Sequence, residues 1–447
     1  MFCAYFCSSL TKNERKMLVS FSVQNFASIK DKQTLSFEAD KSNHLEDHMV
    51  IQAPQGLRLL KLGLIYGANA SGKTSILKAI DFLRDLVLEP ESKKTDSLKY
   101  NPFLFDKQTP NLPSILSVDF IQNEVRYVYE VEFTRTAILS EELHNYNPSK
   151  ASVFRRATDV DKQLTEIKFG SKISVDRSFK KTLESNTLWN NTVLGGFLKT
   201  NIELKELKDV IDWFDGYLKP LVGSSTALDN YITAQIDSSD INKQDVISIL
   251  QKADFNISDI IIKKEKKEIP EVFLGLLKEI ETTYEVNNLK SYAKNTSLNI
   301  EVEHTVNNES YTLPFYLESQ GTQRYYGMAG LLSLLTRHSI AIPIDELESS
   351  LHPDLFTHFL LSFFINSKSS QIIATTHNRE ILSNRDIFRN DSIWFTSKDE
   401  SGATELYSLS DFDSSVIRDT SSVYNAYKIG KLGGTPNLGD YYIDISR

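Results

Sequence analysis

The chain has 447 residues, 40% of them apolar and 24% charged, with a formal net charge of −9 at pH 7. This length allows a large core and two lobes. No stretch of sequence approaches the roughly 20 apolar residues that a transmembrane helix needs, which excludes a membrane-embedded transporter for this chain. The acidic balance argues against a broadly basic nucleic-acid-binding surface.

Residues 1–16 carry both cysteines, Cys3 and Cys7, and do not resemble a signal peptide. Met17 opens a strand pattern over residues 18–23, so the first 16 residues are expected to be a disordered extension or an upstream start. Two cysteines in such a segment fit the reducing cytoplasm and predict neither a disulfide framework nor a zinc site.

Residues 67–74 read Gly-x-x-x-x-Gly-Lys-Thr, the pattern of a phosphate-binding loop. An apolar run of strand length precedes it at 62–66, and apolar residues at helical spacing follow it from Ile76 to Val87. That setting directs backbone N–H groups and a helix N-terminus at a triphosphate. Lys73 is expected to reach the β- and γ-phosphates and Thr74 to ligate magnesium. The predicted nucleotide contacts are Gly67, Ala68, Asn69, Ala70, Ser71, Gly72, Lys73, Thr74 and Ser75.

Apart from that helix, residues 18–143 read mostly as strand, with a hairpin formed by 117–121 and 125–133. Polar segments and helical patterns at 204–217, 241–251 and 270–284 then predict a compact, mainly helical insertion over 151–300. Strand patterns return after residue 298. The nucleotide half-site is therefore split, and the predicted domains are an extension at 1–16, half-domains at 17–150 and 301–447, and the insertion between them.

The second half-domain predicts an ordered series of elements: strands at 298–304 and 311–317, a helix at 323–337, a strand at 339–344, a helix at 355–365 and a strand at 371–375. Asp345 and Glu346 end the third of these strands. Besides a phosphate loop, ATP hydrolysis requires a carboxylate that binds magnesium and a group that activates water. Asp345 and Glu346 can supply both. Pro343 is unusual inside a strand, so it is expected at a bulge or with one ladder bond unmade.

Two weaker features accompany these motifs. Ser319 and Gly321 precede a helix and offer a hydroxyl and close-approach backbone amides, and His377 follows a strand. Either one alone is more often structural. Their order relative to the phosphate loop and to Asp345-Glu346 resembles the ATP-binding-cassette ATPases, in the soluble branch with the SMC-type and RecF-type proteins.

The resemblance implies an α/β fold: a P-loop ATPase head with a mixed β-sheet, flanking helices and an antiparallel β subdomain, interrupted by the insertion. It implies Walker A at 67–74, a signature segment at 318–323, Walker B at 340–345 with catalytic Glu346, a D-loop at 348–353 and a switch histidine at His377. In the family two heads face each other, so Ser319 and Gly321 of one subunit would touch the γ-phosphate held by Lys73 of the other. ATP, Mg²⁺, slow dimerisation-dependent hydrolysis and a homodimer or higher homo-oligomer follow from it.

The sequence is closer still to the AbiL/RloA type and the overcoming-lysogenisation-defect relatives, the ATP-binding proteins of bacterial phage-defence operons. Residues 21–29, 67–74, 318–324, 344–353, 375–377 and 418–436 carry this likeness, which covers 17–145 and 305–440. It implies a cytoplasmic switch or sensor that controls a separately encoded effector and responds to a phage-derived trigger. Relatives that cut DNA have a C-terminal Toprim domain, and the 70 residues after His377 are too few for one. A nuclease effector is therefore expected on another polypeptide.

The signature departs from the transporter pattern at Glu318 and Gln320. Only Gln108 and Gln122 are candidates for the Q-loop glutamine of the family. Asn25, Ser28 and Lys30 lie where related heads contact ribose or phosphates. The main alternative function is a DNA-repair or chromosome-maintenance ATPase, which predicts salt-sensitive DNA binding. A transporter ATPase subunit and a phosphotransferase fit less well, because neither a membrane-coupling surface nor an acceptor site is evident.

Overall fold

The computed structural model describes residues 15–266, 296–412 and 422–436. Most of the predicted N-terminal extension, with Cys3 and Cys7, and the predicted helix at 270–284 lie outside these ranges. The described helices are α1 Glu46–Met49, α2 Lys73–Leu88, α3 Arg177–Asn186, α4 Val193–Leu198, α5 Lys205–Gly216, α6 Leu228–Asp237, α7 Lys243–Lys252, α8 Gln320–Arg337, α9 Pro353–Asn366 and α10 Val423–Lys428.

A five-stranded sheet carries the phosphate-binding loop, in the order β14-β15-β5-β16-β17. Its first four strands are parallel and its last pair is antiparallel. The central strands β5 and β15 are buried at every residue, which explains their uninterrupted apolar sequences. The bounds are β5 Leu62–Gly67, β14 Ala341–Ile344, β15 Gln371–Thr375, β16 Ile393–Lys398 and β17 Thr404–Ser408.

Pro343 lies in the outermost of these strands, β14. A segment beside β14 forms β-bridges from Leu218 to Ala341 and from Val222 to Ile344. Between the two bridges this segment advances by four residues and β14 by three, so the segment has one extra residue, a bulge, opposite the proline. The Pro343 carbonyl accepts the Val222 N–H at 2.9 Å. The expected bulge is confirmed, and it tolerates a residue that has no N–H to donate.

A seven-stranded antiparallel sheet, ordered β10-β9-β8-β7-β6-β1-β2, forms the second layer of strands. The predicted hairpin is confirmed as β6 and β7, joined by Asn123 and Glu124, which both have positive φ as a two-residue turn requires. The Trp213 ring of α5 stacks on Phe120 of β6 at 4.3 Å between centroids. The bounds are β1 Lys16–Gln24, β2 Gln33–Ser36, β6 Ser114–Gln122, β7 Val125–Phe133, β8 Ile138–Tyr146, β9 Lys150–Asp159 and β10 Leu164–Phe169.

Strands β9 and β10 occupy the first part of the segment that the sequence predicted to be mainly helical. They pair antiparallel and bury Val153, Phe154 and Ile167 while most other positions face solvent. The predicted helices at 204–217 and 241–251 are confirmed as α5 and α7. The domain bounds drawn from the sequence stay a prediction.

The described residues of 227–334, together with 350–358, form one compact unit, and the rest of the described chain forms another. In the smaller unit, helices α6 and α8 approach so closely that a Cβ added at Gly330 would lie 2.3 Å from Ile232. Tyr326 and Thr233 share a hydroxyl–hydroxyl bond of 3.0 Å there. Its strands pair as β11-β12-β13, with bounds β11 Asp259–Lys266, β12 Thr296–Val306 and β13 Glu309–Pro314. The remaining two-stranded sheet, in the larger unit, is β3 Val50–Gln52 with β4 Arg58–Leu60.

Candidate phosphate-binding site

The phosphate-binding loop lies between buried β5 and helix α2, as the sequence predicts. Two of its residues must be glycine in this packing. A Cβ at Gly67 would lie 2.3 Å from Thr396 Oγ1, and one at Gly72, where φ is +104°, would lie 2.0 Å from Thr404 Oγ1. Thr396 and Thr404 therefore pack directly against these two glycines.

Lys73, the first residue of α2, lies almost fully buried at the centre of this loop. Its Nζ donates to the carbonyl oxygens of Gly67 at 2.9 Å and Ala68 at 3.0 Å. Burial lowers the pKa of Lys73, and the nearby carboxylates of Asp345, Glu346 and Glu348 oppose that shift. An ammonium has three donors, so the group is held over the loop with donor capacity left for a phosphate oxygen.

Asp345, directly after β14, is joined to the loop by hydroxyl groups. Thr74 Oγ1 lies 3.1 Å and 3.0 Å from the two Asp345 carboxylate oxygens. Thr375 Oγ1, at the end of β15, donates to Asp345 Oδ1 at 2.6 Å. The sequence did not single out Thr375, because a threonine that ends a buried strand has no local pattern to distinguish it.

Glu346 follows Asp345 in a left-handed backbone conformation with φ of +51°. Its N–H donates to Thr375 Oγ1 at 2.8 Å, which fixes this turn against β15. A non-glycine residue at positive φ is uncommon and is found at functional sites more often than elsewhere. The turn therefore places Glu346 directly beyond Asp345, at the edge of the sheet.

His377 lies at the exposed rim, two residues beyond β15. Its backbone N–H donates to Glu348 Oε1 at 2.5 Å. Partial burial, and then the positive charge of Lys73, lower the pKa of the imidazole below its usual value, against the pull of Glu348, Glu346 and Asp345. The ring is therefore neutral at pH 7, with one nitrogen free to accept and one to donate.

A cluster of hydroxyl groups supports the loop, and sequence reasoning found only part of it. Thr404 Oγ1 bonds Ser28 Oγ at 2.8 Å and the Ser71 carbonyl at 2.9 Å, and Ser28 Oγ lies 2.9 Å from Ser75 Oγ. Ser71 Oγ lies 2.6 Å from Thr396 Oγ1. Ser71 and Ser75 were predicted as nucleotide contacts, and Ser28 lies where related heads contact ribose or phosphates.

The structure gives the other flagged positions supporting contacts of their own. Asn25 is 3% exposed and uses its amide to hold the loop at 103–112. Lys30 pairs with Asp106 at 2.9 Å. Gln122 is wholly buried at the end of β6, while the exposed Gln108 donates its backbone N–H to Asp106.

The segment at 422–436 packs behind the phosphate loop. The Tyr427 ring meets Tyr66 of β5 edge-on at 5.7 Å, and its hydroxyl donates to the Gly434 carbonyl at 3.0 Å. A Cβ at Gly434 would lie 3.5 Å from the Gly67 Cα. This part of the predicted family tail therefore contacts the nucleotide site itself.

Ser319 and Gly321 belong to the smaller unit, at the start of the 18-residue helix α8. Ser319 is exposed, and its Oγ accepts the Thr322 N–H at 3.1 Å as a helix N-cap does. Glu318 Oε1 lies 2.8 Å from His304 Nε2. The signature segment thus presents a capped helix N-terminus, a favourable place for an anion.

The profile of the family described as "AAA domain, putative AbiEii toxin, Type IV TA system" matches residues 64–383. The chain belongs to this family. The match begins within β5 and ends beyond His377, so it covers the phosphate loop, Asp345 and Glu346. The chain is accordingly a P-loop ATPase-family protein with the α/β fold predicted from its sequence. The narrower AbiL/RloA assignment stays a prediction.

Three solved structures that are similar to this chain are SMC heads. The SMC head domain from Thermotoga maritima is 15% identical with a TM-score of 0.41, covering 88% of this chain and 98% of that one. An SMC head bound to the C-terminal winged-helix domain of ScpA is 14% identical with a TM-score of 0.45, covering 88% and 97%. The Pyrococcus furiosus Smc head with an extended coiled coil, bound to the C-terminal domain of ScpA, is 14% identical with a TM-score of 0.38, covering 93% and 99%.

No curated protein matches the sequence. Among the helices that the structure describes, none is long and apolar enough to cross a membrane.

Proposed function

We propose that this protein binds ATP with Mg²⁺ and hydrolyses it slowly. The observation that carries the proposal is the link from Thr74 through Asp345 to Thr375, beside the buried Lys73 ammonium. Lys73 and the loop amides would bind the phosphates. Glu346 would accept a proton from the attacking water, and the neutral His377 would contact the γ-phosphate side of the site.

The residues fit a magnesium ion of the phosphate-loop kind. Among the described residues no group of three or more His, Cys, Asp and Glu side chains is placed to hold a metal. Magnesium needs no such cage, because one or two carboxylates, a hydroxyl, water and phosphate oxygens complete its shell. Thr74 and Asp345 supply the protein's share, and bound Mg²⁺ would neutralise charge on the phosphate oxygens.

Hydrolysis would require two copies of the chain. Ser319 and Gly321 present an exposed, capped helix N-terminus, and the larger unit has its own phosphate loop. In the proposed dimer, each signature segment completes the nucleotide site of the partner subunit. A homodimer, or a larger homo-oligomer built from such pairs, follows from this arrangement.

The biological role we propose is a switch in anti-phage defence. The family's description as a putative toxin of a type IV toxin–antitoxin system supports a role in defence. ATP would close two heads, hydrolysis would reopen them, and a separately encoded effector, a nuclease for example, would be held or released in the cytoplasm when a phage component is sensed. Fold and nucleotide chemistry alone do not specify this biology.

The test uses the whole chain with its genomic neighbours, in wild-type form and as Lys73→Ala. Loss of the charge-assisted bonds from Lys73 should weaken ATP binding by about 10- to 100-fold and abolish phage protection. Protection that survives this substitution contradicts the nucleotide switch. A solitary dimer without an effector, whose ATPase rises with DNA ends, would instead establish the DNA-repair alternative.

A further inference from the structure

Phe105 is the most exposed phenylalanine in the described part of the chain, at 73% relative exposure. Its ring meets Phe103 edge-on at 5.8 Å, and a Cβ at Gly402 would lie 3.4 Å from it. Lys398 Nζ lies 5.8 Å from its centroid. The face that Lys398 does not cover is open to a flat aromatic partner in an offset stack.

The loop that presents this ring is held in place by buried contacts. The Asn25 amide donates to the Thr109 carbonyl at 2.9 Å and accepts the Phe103 N–H at 3.0 Å. Asp106 pairs with Lys30 at 2.9 Å on the other side of the loop. The ring is therefore preorganised, so a ligand that stacks on it would lose little free energy in ordering the loop.

The ring also stands near the phosphate loop. It contacts Gly402, in the turn that joins β16 to β17, and Thr404 follows two residues later. Thr404 Oγ1 bonds the Ser71 carbonyl at 2.9 Å and approaches Gly72. Two residues of chain span at most about 7 Å, so Gly402 lies within that distance of Thr404. That is the scale of the ribose and α-phosphate that separate a base from the β-phosphate.

We propose that Phe105 stacks on the base of the bound nucleotide and so forms the base subsite of this ATPase. The proposal rests on the proposed ATP binding and extends it by one residue. A stacking contact reads the face of a base and not its hydrogen-bonding edge, so it accepts adenine and guanine alike. Lys398 adds a positive charge beside the ring.

The experiment compares Phe105→Ala with its exposed apolar neighbour, Leu104→Ala. Dissociation constants are measured by calorimetry for ATP, GTP and inorganic tripolyphosphate, which has no base. We expect Phe105→Ala to weaken ATP and GTP by about tenfold each and to leave tripolyphosphate unchanged. Leu104→Ala should alter none of the three, and Phe105→Tyr should restore ATP affinity.

An unchanged ATP affinity in Phe105→Ala overturns the proposal. An equal loss for tripolyphosphate also overturns it, because the substitution would then act through the phosphate loop. Lys73→Ala separates this result from the proposed function. If wild type and Lys73→Ala bind ATP equally, the ATP-binding proposal fails; if Lys73→Ala alone loses ATP, only the base subsite is wrong.

Discussion

Two clusters of buried charged side chains in the larger unit differ in how their charges are paired. In the antiparallel sheet, Glu141 and Arg156 are both fully buried, 3.4 Å apart. Glu141 also accepts from Tyr129 and from the Val193 N–H, and both terminal nitrogens of Arg156 have protein partners. Burial raises the pKa of Glu141, and Arg156 opposes that shift.

At the phosphate loop the charges are incompletely paired. Lys73 bonds only carbonyl oxygens, and Glu348 Oε2 is buried with no hydrogen-bond partner among the described atoms. A buried polar atom without a partner costs free energy, so a fold retains one where something else is gained. Arg156 Nε is also buried without a hydrogen-bond partner among the described atoms, so the two clusters differ in how the ions pair: Glu141 and Arg156 pair with each other, whereas Lys73 donates to carbonyl oxygens.

Glu346→Gln gives the largest expected effect on the second cluster. Removal of the water-activating carboxylate should lower the ATPase rate by about 10²- to 10⁴-fold while ATP still binds. Single-turnover phosphate release and calorimetry measure the two quantities. Glu348→Gln is the matched control, because an amide still accepts the His377 N–H, and its loss should stay below about tenfold. Wild-type turnover in Glu346→Gln would show that another group activates water.

Arg156→Met is the matching change in the first cluster. It leaves Glu141 charged and unpaired in the interior, which should lower the free energy of unfolding by about 3–5 kcal/mol. Arg155→Met removes a neighbouring surface ion pair, to Glu142, and should cost no more than about 1 kcal/mol. Chemical denaturation compares the two. Equal losses of stability in Arg156→Met and Arg155→Met would contradict the structural role of the buried Glu141–Arg156 pair.

The same comparison explains how much the sequence could predict. Gly67, Gly72, Lys73 and Thr74 fall within one eight-residue stretch, and Asp345 follows an apolar strand, so local patterns reveal them. Thr396 and Thr404 reach the loop from more than 300 residues away along the chain. Nothing near them in sequence marks that role, because their partners are set by strand order.

The fold shows the same limit. Parallel strands buried on both faces are recognisable as apolar runs in the sequence. The predicted ends of β5 and β15 agree with the observed ends to within one residue. Strands β9 and β10 bury only a few residues and carry Lys, Arg, Asp and Glu elsewhere, so their composition resembles that of a solvated helix. Their assignment depends on the pairing of β9 with β8 and of β10 with β9, which the sequence alone does not reveal.

A second subunit is proposed to complete the phosphate-loop site through its Ser319. Ser319→Arg should abolish hydrolysis but leave ATP binding unchanged, because Ser319 would act on the partner's nucleotide. Mixed with the inactive Lys73→Ala variant, it should regain about a quarter of wild-type activity, since half of the random dimers are mixed and each has one intact site. Steady-state ATPase assays of each variant and of the mixture measure this. Without recovery on mixing, where mass measurements show that mixed dimers form, Ser319 would have to act within its own subunit.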